Sequence, residues 1–237
     1  MVPELAFVTG GWRVSVSTHG LFVVLAVTTG LALAVRRARE PSVVLAAAPA
    51  LVAAALGGAE LLYRTLHRGE HGGLSSMGGI AAMFAVALVA ARGSSRRFAD
   101  LADAVAPAGI AALGVGRIGC FMAGCCWGRP TALPWGVVFP ELGPPARHPL
   151  QLYSAGLDLA LAGLLFRWSG PPGTTAAYAT IGLGLVRLVL ETLRDPAAAD
   201  PPLGGIGTAH LGAVLLLTAG SAATVCLWRS RPAGGTP

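Results

Sequence analysis

Seven stretches of the chain are apolar over enough residues to read as membrane spans: about 20–35, 42–63, 72–91, 101–118, 150–166, 174–193 and 207–227. Roughly 20 mostly apolar residues in a helix cross about 30 Å of hydrocarbon. A helix satisfies its own backbone groups in lipid. Alternation in segments of about ten residues, the sign of a transmembrane barrel, is absent. The polar breaks are short except at 121–149, where Trp127, Trp135, Pro130, Pro134, Pro140, Pro144 and Pro145 predict an ordered outer cap with interfacial aromatics. The expected fold is an all-α polytopic membrane protein. It forms one domain, 1–237, with the cap inserted between spans four and five. The Gly/Pro-rich tail from Arg229 onward reads as frayed.

Composition agrees with that pattern. Of 237 residues 54% are hydrophobic and 12% charged, against roughly 25% charged in a soluble domain. Disorder needs the opposite balance, and a soluble globule needs more polar surface. Four cysteines in so long a chain exclude a disulfide-stapled miniprotein. The basic residues are all arginine. With the N-terminus outside, Arg36, Arg37, Arg39, Arg92, Arg96, Arg97, Arg167, Arg229 and Arg231 are cytoplasmic, and Arg13, Arg64, Arg68, Arg129, Arg147 and Arg194 are external. The first set is the larger, so the expected topology is N-out and C-in. The first apolar run lacks a basic lead and is followed by arginines, so it reads as a span and not a cleaved leader. Dispersed arginines explain the net charge of +6 without a nucleic-acid partner.

Ionisable residues within apolar runs are costly in lipid and face a bundle interior. Here they are Glu60, Asp103, Arg117, Asp158, Arg187 and Glu191, with His19, His148 and Arg194 near the margins. Internal salt bridges that fix helix register are one reading; a polar site is the other. Two local sequences favour the site. Gly116 and Gly119 flank Arg117 closely enough for a ligand or a backbone to approach. A guanidinium there suits a lipid phosphate. Arg187, Glu191 and Arg194 recur at i, i+4 and i+7, one helical face, with Pro196 ending the helix. Glu191 is expected to orient one arginine while the other binds an anion. Arg117 and Arg187 are expected to converge on one headgroup.

These residues resemble the prolipoprotein diacylglyceryl transferase family. His19-Gly20-Leu21 is similar to the family's Tyr-Gly-Leu, and Gly58-Ala59-Glu60-Leu61-Leu62-Tyr63 to its Gly-Ala-Arg-Leu-x-Tyr. Gly72-Gly73-Leu74-Ser75-Ser76-Met77-Gly78-Gly79 is similar to Gly-Gly-Met-Ser-Phe-His-Gly-Gly. Asp103 to Pro107 fits Ala-Asp-x-x-Ala-Pro, and residues 116–131 fit Gly-Arg-x-Gly-Asn-Phe followed by Trp-Gly-Arg-Pro-Thr. Trp135 to Pro140, then Arg147-His148-Pro149 with Gln151, Leu152 and Tyr153, follow in order. Arg187, Glu191, Arg194 and Pro196 fit Arg-x-x-x-Glu-x-x-Arg-x-Pro.

The resemblance implies a bacterial plasma-membrane enzyme. It would move diacylglyceryl from phosphatidylglycerol to the lipobox cysteine of a prolipoprotein signal peptide, with glycerol phosphate leaving. It implies phosphate-binding roles for Arg117 and Arg187, and a lipid or peptide site that includes Glu191, Arg194, Asp103, His148, Gln151 and Tyr153. The scheme needs no metal and no cofactor. The chain departs from the family at several positions. Met77 stands where the family has a histidine, and a thioether takes no proton at neutral pH. Cys120 replaces asparagine, Cys125-Cys126 replace Glu-Leu, Glu60 replaces arginine, and Ser154 replaces glutamate after Tyr153. His71 and His19 are the candidate replacement bases; the plain readings are a solvated loop histidine and an interfacial one. The clustered cysteines read as packing, a local disulfide, or metal or redox work. Two alternatives remain: the same lipid cleavage serving another acceptor, and a non-catalytic lipid-binding relative.

Overall fold

The computed structural model describes residues 4–9, 12–68, 74–91, 94–202 and 206–229. It opens with an antiparallel hairpin, β1 (Glu4–Thr9) and β2 (Trp12–Ser17), in which Glu4 pairs with Ser17 and Thr9 with Trp12. The apolar-run reading missed this hairpin, because it is too short and too polar to register as a span. Seven α-helices follow: α1 (Thr18–Arg37), α2 (Pro41–Leu66), α3 (Ser76–Ala90), α4 (Ser95–Ala123), α5 (Leu150–Arg167), α6 (Thr174–Glu191) and α7 (Thr208–Arg229). Four of them, α1, α2, α4 and α7, are long and apolar enough to cross a membrane, and α3 is a shorter apolar helix. The chain is a polytopic, all-helical membrane protein. Helices α5 and α6, 18 residues each, carry the buried Asp158 and Arg187.

The helix ends follow local chemistry. Ser17 Oγ accepts from Gly20 N at 3.3 Å to start α1, and Ser94 Oγ accepts from Arg97 N at 3.4 Å to start α4. Pro41 occupies the first turn of α2, where no intrahelical donor is needed. Helix α4 stops at Gly124, whose φ of 73° is left-handed. At 29 residues α4 is the longest helix, about 43 Å by its rise. That exceeds the hydrocarbon thickness and carries its first, charged turn outside the apolar run expected from 101.

Small residues let neighbouring helices close. Gly58 of α2 and Gly78 of α3 meet backbone to backbone, so that a Cβ on either would collide with the other. One apolar core joins Ala34, Val44, Ala87, Leu101, Ala104 and Ala108; a second joins Ile110, Ala111, Ala162, Leu165, Ala179 and Leu183. In lipid such contacts act through van der Waals fit, which small side chains maximise.

The end of the bundle away from the cap is tied by Arg37. Its Nε donates to the Asp103 carbonyl at 2.9 Å, Nη1 to Phe166 O at 3.2 Å, and Nη2 to Trp168 O at 3.2 Å and Thr175 Oγ1 at 3.1 Å. Its guanidinium also lies 5.5 Å from the Phe166 ring centre. Asp103 belongs to this end. Its two carboxylate oxygens accept from Gly173 N and Ala176 N, each at 2.7 Å, and so cap α6. A place in a headgroup site was expected for Asp103; the structure makes it a helix cap, with the dipole at the α6 N-terminus favouring its charge.

Candidate active site

The polar centre of the bundle begins with a stripe on α5. Gln151, Ser154 and Asp158 stand at i, i+3 and i+7 on one face, and all three are buried. Arg187 of α6 meets that face. Its Nη1 donates to Ser154 Oγ at 3.1 Å and its Nη2 to Asp158 Oδ2 at 3.3 Å, while Ser154 donates to the same Oδ2 at 3.0 Å. Ser154, at the family's glutamate position, therefore bridges Arg187 to a carboxylate one turn further along. Arg187 Nε and Asp158 Oδ1 are buried with no hydrogen-bond partner among the described residues.

Arg117 lies six residues from the end of α4 and is half-buried. Among the described residues it makes no hydrogen bond or ion pair, and it lies within electrostatic reach of Arg187, Asp158 and the three nearby cysteines. Arg117 of α4 and Arg187 of α6 therefore lie within electrostatic reach of each other.

The late arginine motif is arranged differently from its spacing. Helix α6 ends at Glu191, so Arg194 lies past the helix. The chain turns, and Arg194 Nε donates to Glu191 Oε2 at 2.7 Å. Pro196 does not terminate α6; it opens a short 3-10 turn, Pro196–Ala198. Glu191 thus holds Arg194, and Asp158, not Glu191, holds Arg187.

The cap, 124–149, is stitched onto this end. Arg129 N donates to Leu193 O at 2.8 Å and Gly128 N to His148 O at 3.0 Å. The Arg147 guanidinium donates to the Asp195 carboxylate in a charge-assisted pair. Trp135 Nε1 donates to Tyr153 Oη at 2.8 Å, and His148 Nδ1 lies 3.3 Å from the same oxygen. Gln151 Nε2 donates to the Cys125 carbonyl, and Gln151 Oε1 is buried without a hydrogen-bond partner among the described residues. His148, Gln151 and Tyr153 are thereby gathered at the junction of cap and α5.

Helix α1 delivers His19 to the same end. Its Nε2 lies 3.9 Å from Cys120 Sγ. The close approach is allowed by Gly119, where an added Cβ would meet Phe22. Cys120, Cys125 and Cys126 are free thiols, so no local disulfide is formed. Met77 packs its thioether toward Gly212 of α7. His71 lies outside the described residues. Two functional features escaped the sequence reading: the role of Asp158 as the partner of Arg187, and Ser154 as the bridge. Their signal was the i, i+4 spacing of Ser154 and Asp158 in an otherwise apolar helix.

A family model described as prolipoprotein diacylglyceryl transferase matches residues 6–226. A phosphatidylglycerol–prolipoprotein diacylglyceryl transferase of Nitratidesulfovibrio vulgaris is 37% identical over 173 residues, which are 70% of this chain and 64% of that protein. Proteins of the same name from Vibrio vulnificus and a Shewanella species are 39% identical over 138 residues and 38% over 133. Those matches cover 56% and 54% of this chain, and 51% and 50% of the relatives. The chain therefore spans between half and two thirds of the length of the curated relatives it matches. With the motifs in order and nearly all of its length inside the family match, the chain belongs to the prolipoprotein diacylglyceryl transferase family.

Proposed function

We propose that this chain transfers the diacylglyceryl group of phosphatidylglycerol to the lipobox cysteine thiol of a prolipoprotein signal peptide. The observation that carries this reading is the Arg117 guanidinium, which makes no hydrogen bond or ion pair among the described residues and lies within electrostatic reach of the buried Arg187–Asp158 pair. A half-buried cation with free donors in an apolar bundle is an anion site. Phosphatidylglycerol supplies a phosphodiester at that depth.

In the reaction the acceptor sulfur displaces the phosphate oxygen at the glyceryl carbon. A thioether forms, and glycerol phosphate leaves with the electron pair. Negative charge grows on the departing phosphate, where Arg117 and the open Nε of Arg187 stabilise it. Asp158 and Ser154 fix the Arg187 fork in place. Gln151 Oε1, His148 and Tyr153 offer acceptors and donors to the glycerol hydroxyls or to the signal peptide, with Arg194, set by Glu191, at the rim. His19 and His71 are the groups proposed to take the thiol proton. The chain lies in the bacterial plasma membrane with its N-terminus outside, so that the cap faces the lipoprotein side.

The test uses purified protein in phosphatidylglycerol vesicles with a peptide bearing a lipobox cysteine. The expected product is the peptide thioether, found by mass and lost in Arg117→Ala. Lipid turnover without peptide modification would assign the scaffold to another acceptor. Lipid binding without turnover would assign a non-catalytic role.

A further inference from the structure

We propose that Cys120, Cys125 and Cys126 form a three-thiolate site for a thiophilic divalent cation, zinc by its chemistry, whose fourth position receives the acceptor thiol. The metal site stands on this chain's own residues; its catalytic half rests on the transferase reading above.

The three sulfurs lie within 4.8 Å of one another. Zinc–sulfur bonds of about 2.3 Å in a tetrahedron place ligand sulfurs about 3.8 Å apart, so closure needs a contraction on the order of 1 Å or less. The backbone is already turned for it. Gly124 and Cys126 both adopt left-handed φ, 73° and 59°, and this reversal folds residues 125–126 back over the end of α4. Cys125 N donates to Cys120 O at 3.2 Å, and Cys125 Sγ lies 3.6 Å from the same oxygen. A side chain with a Cβ is rare at such a φ, and at Cys126 it brings a third thiol to the pair. A disulfide uses two thiols; here a third sulfur and the His19 imidazole, 3.9 Å from Cys120, stand with them. Arg117 lies within electrostatic reach of all three sulfurs and offsets the negative charge of a metal–thiolate centre. The cysteines are half-buried, not sealed in the core.

The site answers the loss at Met77. The acceptor must react as a thiolate, yet a free cysteine is mostly protonated at neutral pH. Met77 takes no proton. A divalent cation deprotonates a coordinated thiol outright. Three protein ligands with an open fourth position is also the arrangement of catalytic, as opposed to structural, zinc. On coordination the acceptor thiol releases its proton to solvent, so that the metal takes over the part given above to His19 and His71. The bound sulfur then forms the S–C bond to the glyceryl carbon as the C–O bond to phosphate breaks. The electron pair leaves on glycerol phosphate beside Arg117. No oxidant or reductant is involved, and the neutral thioether, a weaker ligand, departs. His19 stays beside Cys120 as a hydrogen-bond partner that orients that ligand.

The experiment loads the purified, reduced full chain in lipid nanodiscs with Zn(II), counts bound metal, and repeats the loading with Cd(II) to read the ultraviolet sulfur-to-cadmium band. One ion per chain is expected. Cys120→Ser, Cys125→Ser and Cys126→Ser should each weaken Zn(II) binding by at least about 100-fold, with alanine substituted wherever serine unfolds the protein. Cys226→Ser in α7 should leave binding unchanged. A lipobox peptide with cysteine should intensify the cadmium band, and the same peptide with serine should not. Absence of stoichiometric metal, a Cys120–Cys125 or Cys120–Cys126 disulfide in protein taken from its membrane, or full turnover by metal-free protein would each overturn the proposal. A chain that binds cadmium and responds to the cysteine peptide but makes no thioether supports the site and removes the transferase reading instead.

Discussion

Arg187 and Asp158 face each other inside the bundle, Nη2 3.3 Å from Oδ2, with the Ser154 hydroxyl bonded to both. Both charges are almost wholly buried, at 5% and 0% exposure. Removing one partner strands the other, so Arg187→Met is expected to cost about 3–5 kcal/mol of stability. The double variant Arg187→Met with Asp158→Leu should recover most of that loss, because an apolar pair of similar volume needs no charge compensation. Turnover should not recover, since the donor proposed to face the phosphate is gone. Thermal unfolding and thioether formation measured on the same three proteins separate packing from chemistry; recovery of both would leave Arg187 a purely structural role.

Arg117 has the opposite signature. It makes no hydrogen bond or ion pair among the described residues and is tied to Asp158 and the cysteines only by longer electrostatic reach, so Arg117→Ala leaves no bonded partner stranded. Its unfolding free energy should stay within about 0.5 kcal/mol of the parent. Turnover should fall by about 10²–10³-fold, the usual effect of losing one charge-stabilising donor. Arg117→Lys keeps the charge without the planar fork and should fall between. A large stability loss in Arg117→Ala would place the guanidinium in the packing and not in the site.

The contrast between these arginines explains what the sequence could reveal. A guanidinium in an apolar run stands out by composition alone, so Arg117 and Arg187 were both visible, and their family motifs agreed. The same rule picked out Asp103 and misplaced it. Its partners are the amides of Gly173 and Ala176, about 70 residues away, and no local pattern contains that pairing. Arg194 was set on the α6 face by its spacing, but the helix ends at Glu191 and a turn restores the contact. Asp158 stands out in the sequence as a charge in an apolar run, but its partner does not, because only the packing of α5 on α6 supplies one. The cysteine cluster was visible as a spacing that fits no common ligand pattern. Its convergence depends on left-handed φ at Gly124 and Cys126, which spacing does not encode.

Arg37 gives a prediction that sequence counting would not. It reads as one of many arginines at the end of a span, yet it donates to four acceptors on α4, α5, α6 and the 168–173 link. Hydrogen bonds from a charged donor contribute more than neutral ones, so Arg37→Ala is expected to lower stability by at least about 2 kcal/mol. Arg37→Lys should lose most of the same stability, because one ammonium cannot span four separated oxygens. Turnover per folded molecule should be unchanged, since this cluster is at the end of the bundle away from the cap. Thermal unfolding in nanodiscs with a matched activity assay checks both parts. A stability equal to the parent in Arg37→Ala would mean that lipid contacts, not this cluster, hold that end together.

At the cap end, Asp200 couples the segment after α6 to the end of α2. Its Oδ1 lies 3.9 Å from His67 Nε2, and His67 stacks on Tyr63 with ring centres 3.9 Å apart. Burial holds the Asp200 carboxyl above the ordinary carboxylate range, opposed by His67 and then Arg194. The folded protein therefore keeps this proton after the unfolded chain has lost it. The stability Asp200 contributes is full below the ordinary carboxylate value and declines as pH rises through the raised one. Asp200→Asn removes the titration and keeps the shape. The variant and the parent should unfold at similar temperatures near pH 4, and the variant should gain on the parent as pH rises to about 7. Unfolding midpoints measured across that range decide the sign: a gap that is constant with pH, or one that grows in the parent's favour, would show the His67 contact outweighing the burial of the carboxylate.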